Sequence, residues 1–217
     1  MRLNEYIDYT LLASDATTKE IEKLCIDAEN YKFASVCVNP YFVKFVKNTL
    51  KNNKVKICTV IGFPLGVNST EIKVAETKKA ISDGADEIDM VINISALKDG
   101  FYDYVLNEIK DIKAVCASKI LKVIVETAVL TEKEKIDICN IISKTNADFI
   151  KTSTGFAKSG AKVKDIKLFK KHLKNTNIKI KASGKIKTKA QAIKLHKAGA
   201  DRLGMSKATL LITKPLK

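Results

Sequence analysis

The sequence predicts an α/β protein with a single domain over residues 1–217, in which eight parallel strands and their helices close into a (β/α)8 TIM barrel. Three observations predict this fold. Short β-branched runs alternate with longer amphipathic segments, capping residues recur where the helices start, and one triplet recurs before the strands. Strands that alternate with helices imply a parallel sheet. No glycine-rich GxGxxG turn follows the first predicted strand, which disfavours an open doubly wound sheet.

Eight apolar runs are the candidate strands, spaced so that a loop, a helix and a return loop fit between them. A chain of 217 residues is short for this barrel, so the loops are expected to be lean. The predicted strands are Tyr6–Thr10, Ser35–Asn39, Lys56–Gly62, Glu87–Asn93, Lys122–Thr127, Phe149–Ser153, Ile178–Ser183 and Arg202–Met205.

Paired capping residues predict the helix N-termini, and a repeated triplet predicts helix ends. The capping pairs are Thr17 with Glu20, Asn68 with Glu71, Thr131 with Glu134, and Thr188 with Gln191. The triplets are Gly84-Ala85-Asp86, Asn146-Ala147-Asp148 and Gly199-Ala200-Asp201. Their Gly or Asn is expected to take the left-handed conformation that ends a helix.

The charge is strongly basic, with 39 Lys and Arg against 24 Asp and Glu and a net charge of +15. Only Arg2 and Arg202 are arginines, and the lysines are dispersed, so most are interpreted as solvated helix faces that draw anions into a cleft. A noncatalytic barrel that binds nucleic acid is the remote alternative. It would need clustered basic residues and exposed aromatics, whereas aromatics are 6% and there is no Trp.

Cysteine and histidine usage argues against metal chemistry and against secretion. The five cysteines form no CxxC motif and there are only two histidines, so no metal site and no cofactor are expected. Free cysteines suit a reducing, cytoplasmic location. No apolar segment resembles a secretory signal or a membrane span, so no membrane partner is predicted. The dispersed lysines and the few aromatics likewise predict no nucleic-acid partner.

Charged residues inside apolar strands are the candidate catalytic groups, because chemistry in a barrel gathers at the C-terminal ends of the strands. Asp89 lies between Ile88 and Met90 and should point inward, where the alternative to function is a structural ion pair. Lys151 and Lys181 lie in consecutive strands, and like charge and burial favour the neutral amine that a Schiff-base nucleophile requires. From spacing alone, a functional pair and a chance placement remain equally open.

Weaker candidates follow the same pattern. Asp8 is a further inward carboxylate, with a helix cap or an ion pair as the alternative. Glu126 could line the interior or pair with a lysine there. Cys37 could also face the site, but core packing explains it better. Ser183-Gly184 and Leu203-Gly204-Met205-Ser206 offer a phosphate cradle near strands 7 and 8, although glycine ends many strands.

Seven motifs, taken in order from about residue 6 to about residue 206, resemble those of the deoxyribose-phosphate aldolase family. They are Asp8-Tyr9-Thr10-Leu11-Leu12, Ser35–Pro40, Val60–Gly66, Glu87–Asn93, Lys122–Thr127, Phe149–Phe156 and Lys181-Ala182-Ser183-Gly184. The resemblance implies a metal-free class I aldolase that reversibly cleaves 2-deoxy-D-ribose 5-phosphate to acetaldehyde and D-glyceraldehyde 3-phosphate. Its partners would be the phosphorylated sugar and acetaldehyde.

The resemblance also implies roles for individual residues. Lys151 would form the Schiff base, Lys181 would favour the neutral form of that amine, and Asp89 would relay protons with Asp8 nearby. The residues implied to hold the phosphate are Gly155, Gly184, Gly204 and Ser206.

The sequence departs from the family pattern at four positions, which places the affinity for phosphate in question. Tyr9 replaces a usual His, Lys185 replaces a second glycine, and Met205 and Lys207 alter a Gly-Thr-Ser-Ser run. Lys185 could add a phosphate contact or crowd the cradle. A Schiff-base aldolase for another sugar phosphate is the nearer alternative function, and the oligomeric state stays open, with a homodimer as one option.

Overall fold

The computed structural model describes residues 3–51 and 54–212, which form a closed barrel of eight parallel strands in the order β1 to β8, so the predicted fold is confirmed. The single domain predicted over residues 1–217 also includes residues 1–2, 52–53 and 213–217, which lie outside the described residues. The strands are β1 (Ile7–Leu11), β2 (Ser35–Val38), β3 (Lys56–Ile61), β4 (Glu87–Val91), β5 (Ile120–Ile124), β6 (Phe149–Lys151), β7 (Lys179–Ser183) and β8 (Arg202–Met205).

Helices follow the strands and cover the outside of the barrel. They are α1 (Thr18–Tyr31), α2 (Val43–Thr49), α3 (Thr70–Ser82), α4 (Ile94–Lys98), α5 (Tyr102–Cys116), α6 (Glu132–Ile142), α7 (Val163–His172), α8 (Lys189–Lys197) and α9 (Ala208–Ile212). Short 3-10 turns occupy Leu3–Tyr6, Pro40–Phe42 and Thr127–Val129. Within the described ranges, no helix is both long enough and apolar enough to cross a membrane.

Three of the four predicted caps lie where the sequence placed them. Thr17 and Thr131 form reciprocal capping boxes with Glu20 and Glu134. The Thr188 hydroxyl accepts the N–H of Gln191, although the Gln191 side chain accepts the N–H of Lys187 instead of returning to Thr188.

The prediction of Asn68 as a cap is wrong. Helix α3 begins at Thr70, and its N-cap is Ser69, whose backbone is extended. The Glu71 carboxylate accepts the Ser69 hydroxyl. The partner of Glu71 is therefore Ser69, one residue after the Asn68 that the capping-box spacing predicted.

The repeated triplets anchor the strand bases through their aspartates. Asp86, Asp148 and Asp201 accept backbone N–H groups of the preceding strand at 3.1, 2.8 and 2.8 Å. The glycines take the expected left-handed conformation, with φ of 112° at Gly84 and 117° at Gly199. The expectation for Asn146 is wrong, because the Thr145 hydroxyl closes that turn by accepting the N–H of Ala147 at 3.2 Å.

The apolar core lies between the barrel and the helices, whereas the barrel interior is charged. Outward side chains such as Ile88, Met90, Leu121 and Val123 are fully buried in the apolar layer. Inward positions of six of the eight strands instead carry Lys, Arg, Asp or Glu. The charged side chains therefore lie inside the barrel, and hydrophobic burial between the barrel and the helices stabilises the fold.

Candidate active site

Strand register brings the predicted lysines and aspartate together inside the barrel. Lys151 pairs with Lys181 across β6 and β7, and Asp89 pairs with Lys122 across β4 and β5. The side chains of all four are at most 3% exposed. The sequence prediction that Lys151 and Lys181 are neighbours is therefore confirmed in the structure.

Asp89 is the centre of this cluster. Its Oδ1 lies 2.8 Å from the Lys122 amine, and its Oδ2 lies 2.7 Å from each of the Lys151 and Lys181 amines. The Cys58 thiol also donates to Oδ1, at 3.2 Å. Burial raises the pKa of a carboxyl, but the three ammonium groups outweigh it and hold the pKa of Asp89 well below its ordinary value.

Asp8 is the second interior anion, and it forms ion pairs rather than a helix cap. Its carboxylate contacts the Lys181 amine and the Arg202 guanidinium and accepts the Ser35 hydroxyl at 2.6 Å. Burial again acts to raise the pKa, but Lys181, Lys122 and Arg202 lower the pKa of Asp8 below its ordinary range. Burial likewise opposes the charge of Lys181, yet Asp8 and Asp89 hold its pKa above the ordinary value, so Lys181 stays a cation.

Three further members of the cluster were not singled out from the sequence. Lys122 is fully buried, 2.6 Å from Glu87, and Glu87 in turn bonds Arg202 at 3.1 Å. Burial lowers the pKa of a lysine, but Asp89 leads the neighbouring anions that raise the pKa of Lys122 well above normal. The signal was present, because Lys122 lies between Leu121 and Val123, the same alternation that identified Asp89.

The described residues contain two groups of potential metal ligands, and neither suits an ion. Asp8, Cys58 and Glu87 surround the Lys122 amine, which lies 3.8, 3.2 and 2.6 Å from their ligand atoms. An ammonium ion therefore already occupies the position between them. Cys37, Cys58 and Asp89 form the other group, where burial raises the pKa of the Cys58 thiol well above normal and keeps it protonated.

A cavity of about 670 Å³ opens at the C-terminal ends of β1, β6, β7 and β8. Lys151 lines it, as do the residues predicted to hold phosphate, namely Gly155, Gly184, Gly204 and Ser206. Asp8, Asp89 and Lys181 are not part of its lining and lie in the charged cluster behind Lys151. Lys151 is thus the member of the cluster that meets the cavity.

Close backbone approach explains the glycines of the cavity wall. A Cβ on Gly204 would lie 2.8 Å from the Cβ of Ser183, which is too close for a side chain. Gly160, which the sequence gave no reason to select, does not line the cavity but packs against Gly184 of its wall, where a Cβ would lie 2.0 Å from the Gly184 carbonyl oxygen. Gly155 and Gly184 both have positive φ, of 98° and 84°.

The departures from the family pattern do not all lie at the cavity. Tyr9 faces the helices, with its ring 5.2 Å from that of Phe33, so the suggestion that it affects phosphate binding is not supported by its position. Lys185 lines the cavity, and its φ of 56° is the left-handed conformation that glycine adopts without strain. Its amine donates to the Lys158 carbonyl at 2.7 Å. Met205 and Lys207 also line the cavity.

The remaining two candidates are Cys37 and Glu126. Cys37 is fully buried and packs with Cys58 and Val60 in a small cluster apart from the main core. Its sulfur lies within 4.8 Å of the Asp89 carboxylate, so it packs inside the barrel and also faces the charged cluster. Among residues 3–51 and 54–212, Glu126 forms no ion pair with a lysine; its carboxylate accepts the Thr154 N–H at 3.0 Å and also the Thr154 hydroxyl.

The fold and the cavity define a TIM-barrel enzyme whose site lies at the C-terminal face of the strands. The family described as DeoC/LacD family aldolase matches residues 3–207, and the chain belongs to that family. It is therefore a carbon–carbon lyase.

Named relatives support the assignment over nearly the whole chain. The deoxyribose-phosphate aldolase of Ureaplasma parvum serovar 3 is 56% identical over 97% of this chain and 98% of its own. That of Malacoplasma penetrans is 53% identical over 97% and 95%. A solved tetrameric deoxyribose phosphate aldolase from Aeropyrum pernix superposes with a TM-score of 0.87 at 30% identity, covering 97% of this chain and 89% of its own.

Proposed function

We propose that the chain is a class I aldolase that reversibly cleaves 2-deoxy-D-ribose 5-phosphate to D-glyceraldehyde 3-phosphate and acetaldehyde, with Lys151 as the Schiff-base nucleophile. The observation that carries the proposal is the position of the Lys151 amine. This amine contacts Asp89 of the buried charge cluster, and Lys151 also lines the cavity of about 670 Å³ in which a substrate would bind.

The charge balance of the cluster supports Lys151 as the nucleophile. The cluster contains three carboxylates, on Asp8, Glu87 and Asp89. Three other cations, on Lys122, Lys181 and Arg202, match them. The cluster is therefore neutral when Lys151 is uncharged and carries an excess positive charge when Lys151 is protonated. A neutral amine is the form that attacks a carbonyl carbon.

The reaction follows from this amine. Lys151 adds to the aldehyde carbon of the open-chain sugar, and loss of water gives a protonated imine. The imine withdraws the electron pair of the bond between C2 and C3 as that bond breaks, so that no metal is required as the electron sink. The C3 hydroxyl proton leaves as the aldehyde of D-glyceraldehyde 3-phosphate forms, and protonation and hydrolysis of the enamine release acetaldehyde.

Asp89 is the proposed proton relay, assisted by Asp8. It is an anion in contact with the Lys151 amine at 2.7 Å, and it is fully buried, so it would exchange a proton with the C3 hydroxyl through water. The phosphate would rest on Gly155, Gly184, Gly204 and Ser206. Lys185 and Lys207 at the same wall add positive charge for the dianion.

Borohydride trapping tests the proposal. Incubation with acetaldehyde and borohydride should add one two-carbon label, and peptide mapping should find it on Lys151. Lys151→Ala should abolish the label, whereas the exposed Lys133→Ala should retain it. A panel of phosphorylated sugars in the same assay separates 2-deoxyribose 5-phosphate from the substrate of another Schiff-base aldolase. Absence of any label on the unsubstituted chain would contradict the proposal.

Location and assembly form the rest of the proposal. The cysteines Cys25, Cys37, Cys58, Cys116 and Cys139 are all free and buried, which supports a reducing, cytoplasmic location.

The Aeropyrum pernix relative is a tetramer. A homodimer is proposed for this chain as the simplest closed assembly, and its mass in solution tests that proposal.

A further inference from the structure

Glu126 has a backbone conformation and a set of contacts that the proposed reaction does not use. Its φ of 52° and ψ of 67° lie in the left-handed region, which residues other than glycine seldom adopt. It lies two residues after the end of β5, and its side chain is buried. Non-glycine residues in this conformation cluster at functional sites, where the surrounding contacts hold them.

Backbone hydrogen bonds fix Glu126 on both sides. The Val125 N–H donates to the Lys151 carbonyl at 3.1 Å, and the Thr127 N–H donates to the Thr152 carbonyl at 2.8 Å. These bonds continue the pairing of β5 with β6 beyond the end of β6. Glu126 lies between them, so its position relative to the strand that carries Lys151 is set by the main chain.

The Glu126 carboxylate accepts hydrogen bonds from the turn that follows β6. One oxygen, Oε2, accepts both the N–H and the hydroxyl of Thr154. The Thr154 hydroxyl in turn accepts the N–H of Phe156 at 3.1 Å. Thr154, Gly155 and Phe156 all line the cavity, and Gly155 is a proposed phosphate contact.

The other carboxylate oxygen, Oε1, is buried and has no hydrogen-bond partner among the described residues. A buried acceptor without a partner is costly and points to a role other than packing. The Lys151 amine contacts Asp89, and the side-chain contacts of Glu126 are with Thr154. Loss of Glu126 would therefore loosen the turn and leave the nucleophile in place.

We infer that Glu126 is a positioning residue, which acts through Thr154 to fix the cavity wall that receives the phosphorylated end of the substrate. The inference rests on the proposed function. It assigns Glu126 an effect on the affinity for phosphorylated sugar and none on the ability of Lys151 to form an imine.

Four variants test this role. Glu126→Gln keeps the shape but removes the charge and one acceptor oxygen. Thr154→Val removes the hydroxyl that links Glu126 to Phe156, and Thr154→Ser keeps it. Asp165→Asn is the matched control, because Asp165 is a buried carboxylate on α7 that pairs with Lys135 and also has one unpartnered oxygen. It does not line the cavity.

The readouts are KM and kcat for 2-deoxyribose 5-phosphate and for unphosphorylated 2-deoxyribose, together with borohydride trapping by acetaldehyde. Thr154→Val should raise KM for the phosphorylated sugar by about tenfold or more, the scale of a lost hydrogen bond to a charged acceptor. Glu126→Gln should raise this KM by less, because its amide oxygen can still accept from Thr154 but carries no charge. KM for the unphosphorylated sugar and labelling of Lys151 should change by less than about threefold. Thr154→Ser should recover most of the affinity, and Asp165→Asn should not change the ratio of the two KM values.

Equal losses on both sugars, or an unchanged KM ratio in both Glu126→Gln and Thr154→Val, would overturn the inference. If Glu126→Gln does not fold, the comparison of Thr154→Val with Thr154→Ser decides the question. Failure of the proposed function gives a different result, since Lys151 of the unsubstituted chain would then take up no label.

Discussion

Replacement of Lys181 by leucine tests the charge balance on which the proposed nucleophile depends. Leucine has a similar volume to the lysine stem but carries no charge. Once Lys181 is absent, Asp8, Glu87 and Asp89 face only Lys122 and Arg202 as fixed cations. The cluster is then neutral only when Lys151 is protonated, so the variant should retain a proton on its nucleophile at neutral pH.

The magnitude follows from the geometry. The Lys151 and Lys181 amines each lie 2.7 Å from the same Asp89 oxygen, so they are separated by at most twice that distance, about 5.4 Å. At an effective dielectric constant of about 20, two unit charges at that separation repel by about 3 kcal/mol. This energy corresponds to a factor of about a hundred in an equilibrium constant. Water that enters the altered interior weakens the repulsion, so we expect kcat/KM at neutral pH to fall by at least about tenfold.

The assay is the pH dependence of kcat/KM and of borohydride labelling. Lys181→Leu should lose activity at neutral pH and recover part of it in alkaline buffer, with the label still on Lys151. Lys135→Met, which removes a buried lysine paired with Asp165 outside the barrel interior, is the control for general destabilisation and should leave the profile in place. An unmoved profile in Lys181→Leu, or a label on Lys181, would show that the roles are assigned wrongly.

Three further predictions concern the cavity and the electron sink. Ser206→Asp should raise KM for the phosphorylated sugar about tenfold or more by like-charge repulsion, and equal effects on the unphosphorylated sugar would place the phosphate elsewhere. Lys185→Gly should keep or raise Tm, since a non-glycine residue at φ 56° is strained by about 1 kcal/mol, and calorimetry showing a clear loss would refute that reasoning. Activity should survive chelators because the imine is the electron sink, and a loss in EDTA that Zn²⁺ or Mg²⁺ restores would contradict the class I mechanism.

The sequence predicts the barrel well because its signals are local. Short β-branched apolar runs identified all eight strands, and the predicted and observed boundaries differ by only a few residues. β5, for example, begins at Ile120 and not Lys122, and β6 ends at Lys151 and not Ser153. Helix caps depend on which of two adjacent polar residues takes the extended conformation, and this explains the error at Asn68. The turn at Asn146 failed for the related reason that the neighbouring Thr145 hydroxyl replaced the left-handed residue.

The charged cluster was only partly predictable, because it depends on contacts between strands far apart in the sequence. Asp89 and the lysine pair emerge from alternation, and the same rule applied to Lys122 would have found it. Glu87 and Arg202 lie at the first positions of their strands, where the alternation gives no reason to separate them from ordinary solvated charges. Their pairing requires β4 and β8 to face each other across a closed barrel, and no local sequence pattern predicts that contact.

Access to the cavity separates the three interior lysines. All three amines contact Asp89. Lys151 is the last residue of β6 and lines the cavity, whereas Lys122 and Lys181 do not line it. Lys151 and Lys181 pair across β6 and β7, but two further residues of β7, Ala182 and Ser183, follow Lys181. Lys151 is therefore the lysine of the cluster that a substrate in the cavity can contact, which is why we propose it as the Schiff-base nucleophile.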